Sequence, residues 1–214
     1  MKIKYPRTYH LPWSMGSTSD DKTLKDTSCF EGKNVVITEK MDGENSTLAN
    51  DYYHARSLDS RNHPSRSWIK QFHASIKNDI PEGWRICGEN MYAKHSIEYD
   101  DLKSYFYCFS IWDDNNYCLS WDDTVEYCKL LGIEHVPVMY RIYNWNTLGE
   151  PHYLEDHDVV GFDPAKQEGY VIRNSEKFHH RDFSSNVAKY VRANHVQTDT
   201  HWMHSEVIPN KLIN

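Results

Sequence analysis

The sequence predicts an α+β domain built from largely antiparallel sheets with short flanking helices. Three observations carry that prediction. Short β-branched or aromatic runs outnumber helical stripes, turn signals separate the runs at hairpin-like spacings, and two segments alone show helical periodicity. Val35-Val36-Ile37-Thr38 is a β-branched run ending at Glu39-Lys40, and Asp42-Gly43 follows as a turn. Between Pro64 and Asn78, the apolar positions Trp68, Ile69, Phe72 and Ile76 fall at helical spacing. Trp84-Arg85-Ile86-Cys87 reads as a strand running into Gly88-Glu89-Asn90, and Tyr105 to Trp112 as a buried strand. Ser120 is positioned to cap a helix whose stripe is Trp121, Val125, Cys128 and Leu131, with Asp123 in its first turn and Gly132 at its end. Val136 to Ile142, Gly169 to Arg173 and Asn186 to Val191 complete the strands.

The 214 residues correspond to about 1.4 domains at about 150 residues each, so one domain spanning 1–214 is expected. There is no repeat, low-complexity tract or Gly/Ser linker. Aromatic residues make up 14% of the chain, so the core is expected to be filled by Trp, Tyr and Phe. Against 31 acidic residues stand 24 Lys and Arg, a net charge of −7, which excludes a uniformly basic nucleic-acid coat. The excess is local: residues 1–70 sum to +2, 71–160 to −10 and 161–214 to +1. Five cysteines with no Cys-x-x-Cys indicate neither a disulfide framework nor a cysteine zinc site. The N-terminus lacks the apolar stretch of a signal peptide and no 18-residue apolar run occurs, so a soluble, cytoplasmic protein without a membrane partner is expected.

The segment Glu39-Lys40-Met41-Asp42-Gly43-Glu44-Asn45 carries the most chemistry. A lysine at a strand end can project into a cleft, and it becomes a nucleophile when desolvation or a cationic neighbour lowers its pKa. A Lys-x-Asp-Gly turn alone is common on surfaces. Its weight changes with three later segments: Cys87-Gly88-Glu89-Asn90, Gln167-Glu168-Gly169-Tyr170-Val171-Ile172-Arg173, and Ala188-Lys189-Tyr190-Val191-Arg192. The first two supply one carboxylate each, Glu89 and Glu168, and the last supplies two cations, Lys189 and Arg192.

In order, spacing and flanks, these four segments resemble motifs I, III, IV and V of the covalent nucleotidyltransferases, the polynucleotide ligases and capping enzymes. The finer resemblance is to ATP-dependent RNA ligases of the phage type-2 and bacterial repair branches. Tyr5-Pro6-Arg7-Thr8-Tyr9-His10-Leu11-Pro12-Trp13-Ser14 and Lys189 through Asp199 share in it, so that it runs from residue 5 to about 204. It implies an ATP-grasp-like nucleotidyltransferase domain that joins 3′-hydroxyl and 5′-phosphate RNA ends through a lysyl-AMP intermediate, with ATP as the nucleotide and Mg²⁺ or Mn²⁺ as the metal.

What the resemblance implies for single residues is as follows. Lys40 is the nucleophile and Glu39 faces the adenine edge. Asp42, Glu44 and Asn45 complete the motif I loop, with ribose contacts and support of the nucleophile. Arg56 contacts the triphosphate or the RNA end, and Phe109 stacks on adenine. Glu89 and Glu168 are the motif III and IV carboxylates that hold the metal, largely through water. Lys189 contacts the α-phosphate. Ligases of this group often carry Lys-x-Lys in motif V; here the first position is Val187, and Arg192 is a candidate for the missing charge. An OB module or a C-terminal helical domain does not fit in 214 residues, so a separate accessory protein is a possible partner, and lysine adenylylation is better supported than sealing.

Three other readings compete. A DNA or mixed-substrate ligase differs through protein contacts to 2′-hydroxyls. A GTP-dependent capping-type guanylyltransferase shares the lysine motif. A non-catalytic nucleotide- or RNA-end-binding protein should have lost one of Lys40, Glu89, Glu168 and Lys189. The histidines, with His179-His180 and His195, His201 and His204 as the densest sets, lack zinc-ligand spacing; His195 and Gln197 are open to a structural or RNA-facing role. Arg61, Arg66 and Lys70 form either an RNA-backbone patch or a solvated helix face. Asp113-Asp114 and Asp122-Asp123 read as a turn and a helix start.

Overall fold

A computed structural model describes residues 2–59, 62–146, 161–195 and 206–213. Its strands, in chain order, are β1 (Tyr9–His10), β2 (Val35–Lys40), β3 (Glu44–Ala49), β4 (Tyr53–Ala55), β5 (Arg85–Asn90), β6 (Phe106–Trp112), β7 (Tyr117–Cys118), β8 (Glu134–His135), β9 (Val138–Ile142), β10 (Gly169–Asn174), β11 (Phe178–His179) and β12 (Val187–Val191). The α-helices among the described residues are α1 (Ser67–Ile76) and α2 (Trp121–Leu131). Every strand read from the sequence is present; Val136–Ile142 shortens to β9, and β8 lies just before it. The segments β1, β3, β4, β7 and β11 carry no clear sequence signal.

Two sheets result. One has the order β1-β12-β10-β2-β9; the other runs β11-β7-β6-β5-β3-β4, with β8 paired to β6. Pairing is antiparallel except for β1 with β12 and β6 with β8. Leu11, Phe30, Ile37, Tyr170 and Ile172 pack under the first sheet. Leu48, Ile69, Phe106, Cys108 and Cys128 join the second sheet to both helices. A third group, with Cys87, Trp112, Phe183 and Val187, lies between strands of both sheets. Full burial of such side chains contributes roughly 1.5–3 kcal/mol each.

The ends of α2 obey their signals. Ser120 Oγ accepts from Asp123 N–H at 3.1 Å, and Gly132 takes the left-handed conformation, φ 64°. The five cysteines are free. Among the described residues, no helix is long and apolar enough to cross a membrane.

The C-terminal residues brace the centre of the molecule. Asn210 is buried; its Nδ2 donates to Met91 O at 2.7 Å and its Oδ1 accepts from Tyr99 N–H at 3.0 Å. This fixes the 91–105 segment, whose Ser96 and Ile97 amides reach Asp42.

Candidate active site

Strand β2 belongs to the first sheet and β3 to the second. The turn Met41-Asp42-Gly43 is therefore the covalent bridge between them, and it carries Lys40 on one side and Glu44 on the other. Glycine is required at 43: a Cβ there would lie 2.6 Å from Asn90 O and 2.8 Å from Met91 Sδ. Its amide favours the charged form of the nearby Glu89 carboxylate. Gly169 is required in the same way, since a Cβ would lie 2.0 Å from Tyr190 O. Gly169 also pairs with Lys40 across β10 and β2, which brings the preceding Glu168 to the lysine. Glu89 enters from β5, opposite Asn45 of β3. Lys189 enters from β12, opposite Val171.

Lys40 Nζ lies 2.5 Å from Glu168 Oε2. Burial alone would lower its pKa, but the charges of Glu168, Glu89 and Asp42 outweigh burial and raise it. The lysine is thus held as an ammonium. Glu89 behaves in the opposite way. Burial, with Glu168 and Asp42 close by, pushes its carboxyl up to about 8 against the pull of Lys40. Burial would raise Asp42 too, yet His195 and the Ile97 amide together hold it below the ordinary value. Lys189 is lowered by burial and by the charge of Lys40. Burial raises Glu39.

These groups face a cleft of about 550 Å³ between the two sheets. Arg56, exposed just after β4, lies at it, as do Asn45, Phe109, Val171 and Lys189. Phe109 is half-buried, and its ring centroid is 5.1 Å from that of Tyr5. Asn45 Oδ1 is buried and has no hydrogen-bond partner among the described residues, which leaves an acceptor available to a ligand hydroxyl. All nine sequence-selected site residues therefore converge on this region. Glu39, Lys40, Asn45, Arg56, Glu89, Phe109 and Lys189 line the cleft, Glu168 pairs with Lys40, and the charge of Asp42 acts on it.

Several expectations are corrected. Glu44 and Asn45 are not loop residues but open strand β3. Arg66 is neither an RNA patch nor a solvated face: it is buried and forks onto Glu44, with Nε 2.8 Å from Oε2. Lys70 bonds Asn62 Oδ1 at 2.5 Å; Arg61 lies outside the described residues, as do Gln197, His201 and His204. Val187 is buried beside Trp112 and Phe183, so an apolar contact replaces a charge there. Arg192 lines a second cleft on the far side of Met41, along with Glu39, Glu98, Asp100 and Asp101. Asp113 makes the expected turn, accepting from Asn115 and Tyr117 N–H. His179 Nδ1 accepts from Arg181 N–H, a capping role.

The least expected residue is His195. Its Nε2 lies 3.3 Å from Asp42 Oδ1 and 3.4 Å from Glu168 Oε1. Donor atoms of these three residues all lie within 4.8 Å of one another, a spacing that can hold a metal ion, and Glu89 is not part of that group. No spacing rule finds it, because its members come from positions 42, 168 and 195. Two N-terminal residues also escape sequence reasoning. Tyr5 packs against Phe109 and Phe183, ring centroids 5.1 and 5.3 Å away. His10 is buried opposite Lys189, and burial and that lysine lower it to about 4.

The model of the family described as RNA ligase matches residues 33–191. No curated protein matches the chain. Among solved structures, an archaeal ATP-dependent RNA ligase superposes with a TM-score of 0.55 at 14% identity, covering 88% of this chain and 48% of that one. A candidate ATP-dependent DNA ligase from Aquifex aeolicus gives 0.53 at 16% identity, covering 88% and 50%. A variant of the Naegleria gruberi RNA ligase with ATP and Mn gives 0.50 at 16% identity, covering 80% and 53%. The chain spans about half the length of these three, and at such identities the likeness is one of fold: mixed α and β, mostly antiparallel.

Proposed function

The chain belongs to the RNA ligase family, and on that premise we propose that it is an ATP-dependent RNA ligase that works through covalent adenylylation of Lys40. One observation carries the mechanism. Lys40 projects from the bridge between two sheets into a cleft, with Glu168 at 2.5 Å and the charges of Glu89 and Asp42 around it.

In the first step, the neutral Lys40 amine attacks the α-phosphorus of ATP. A P–N bond forms, the P–O bond to pyrophosphate breaks, and the amine loses a proton. The carboxylates hold Lys40 as an ammonium in the free protein, so the reaction needs that bias reversed. A divalent ion, Mg²⁺ or Mn²⁺, would be held by Glu168 with Asp42, His195 or Glu89, and it would supply positive charge at the phosphate and beside the lysine. Glu168, 2.5 Å from Nζ, is placed to receive the proton. Lys189 and Arg56 offer cations to the phosphate oxygens. Phe109 and Val171, from opposite sheets, offer apolar surface to the base. In the second step, the adenylyl group moves to a 5′-phosphate RNA end. In the third, a 3′-hydroxyl attacks that phosphate and AMP leaves.

RNA ends are the proposed substrate. The free cysteines suit a reducing, cytoplasmic setting. The test is sealing of a nicked RNA duplex, a nicked DNA duplex and single-stranded RNA, each with ATP and divalent ion. Sealing of RNA that vanishes in Lys40→Ala supports the proposal. Sealing of DNA alone, or sealing that survives the substitution, refutes it.

A further inference from the structure

Glu168 presents its two oxygens to different partners: Oε2 to Lys40 and Oε1 to His195. Asp42 is divided in the same way. Its Oδ2 accepts two backbone N–H bonds, from Ser96 and Ile97 at 2.8 Å each, and its Oδ1 faces His195. One oxygen of each carboxylate is thus tied down, and the other points at the same imidazole nitrogen. The side chains are sheltered, with 9%, 8% and 10% of the surface of Asp42, Glu168 and His195 exposed.

We propose that Asp42 Oδ1, Glu168 Oε1 and His195 Nε2 are direct ligands of one divalent first-row transition ion, which the free protein binds before any nucleotide and in preference to magnesium. The spacing supports this. Two ligands bonded at about 2.1–2.2 Å and set about 90–105° apart on one ion lie about 3.0–3.5 Å from each other. The observed separations are 3.3 and 3.4 Å. Two carboxylates and an imidazole balance a dication, and three protein donors leave coordination positions for water or a phosphate oxygen. The imidazole decides the identity of the ion. Magnesium prefers oxygen donors and keeps its waters, whereas a nitrogen donor favours manganese and the later first-row ions. Because Glu168 bridges the site and Lys40, an ion there stands one carboxylate away from the nucleophile.

The proposal rests on the ligase reading for its purpose, but ion binding can be read without ligation. The probe is Mn²⁺ added to the nucleotide-free protein, followed by electron spin resonance and by competition with Mg²⁺. The expected result is one bound Mn²⁺ per chain, held at least about tenfold more tightly than Mg²⁺, with electron spin echo modulation from a directly bound imidazole nitrogen. His195→Ala should remove the modulation and weaken Mn²⁺ about 10–100-fold. His195→Gln, which keeps an oxygen donor, should bind the ion without modulation and without the preference for Mn²⁺. Absence of bound Mn²⁺ without nucleotide, or bound Mn²⁺ lacking nitrogen modulation in the unsubstituted protein, overturns the proposal whether or not either variant folds. Lys40 adenylylation, followed in parallel with Mg²⁺, separates the two ideas: an adduct without nitrogen modulation removes only the ion site, and modulation without an adduct removes only the ligase reading.

Discussion

Replacing Glu89 by glutamine should make the nucleotide-free protein more stable at alkaline pH. Glu89 sits half-buried on β5 among Glu168 and Asp42, and its carboxyl is pushed up to about 8 from an ordinary 4.5. Between those two values, the folded chain binds a proton that the unfolded chain releases. Stability from this group is therefore full below pH 4.5 and is lost as pH rises to about 8. At about 1.36 kcal/mol per pH unit the gap has a ceiling of about 5 kcal/mol. Residual access to water reduces the expected loss to about 2–3 kcal/mol. Glutamine is isosteric and uncharged. Urea unfolding without divalent ions, at intervals from pH 5 to pH 9, reads the difference. Taking the difference between the two proteins cancels the remaining titrations. Glu89→Gln should match the unsubstituted protein at pH 5 and exceed it by about 2–3 kcal/mol at pH 9. Parallel curves, or a variant less stable at pH 9, would refute the claim that this carboxyl is destabilised by its neighbours.

Glu168→Gln should slow adenylylation at least about 100-fold, measured as adduct formation in a single turnover, because it removes the carboxylate at Lys40 Nζ and one donor of the ion site. Phe109→Ala should raise the ATP concentration needed for half-maximal adenylylation about 5–100-fold with less change in the maximal rate, if the ring stacks on the base; an unchanged requirement would remove Phe109 from the base site. Arg66→Leu leaves Glu44 buried without its partner and should cost about 3–5 kcal/mol in unfolding free energy, whereas the double replacement Arg66→Leu with Glu44→Leu should recover most of it.

The parts of the site legible in the sequence are those whose backbone and side chain follow local rules. Lys40 ends a β-branched run before an Asp-Gly turn, and α2 is bracketed by Ser120 and Gly132. Strand β3 was illegible because its sequence, Glu44-Asn45-Ser46-Thr47-Leu48-Ala49, starts polar. Ser46 and Thr47 are nonetheless fully buried, through pairing on both sides with β4 and β5. Arg66 looked like a free surface cation because its partner, Glu44, lies 22 positions earlier. His195 was invisible as a donor for the same reason, since both carboxylates it faces arrive from distant strands. The pattern of residues 71–160, acidic yet containing Glu89, also has a structural counterpart: Glu98, Asp100, Asp101 and Glu134 ring the second cleft, beyond the turn that carries Lys40.

Most direct for the central claim is intact-mass and peptide analysis of the protein after incubation with ATP and divalent ion. The account predicts one AMP per chain, attached through a bond that survives denaturation, on the peptide containing Lys40 and absent from Lys40→Ala. No covalent AMP, or AMP on any residue other than Lys40, would contradict it.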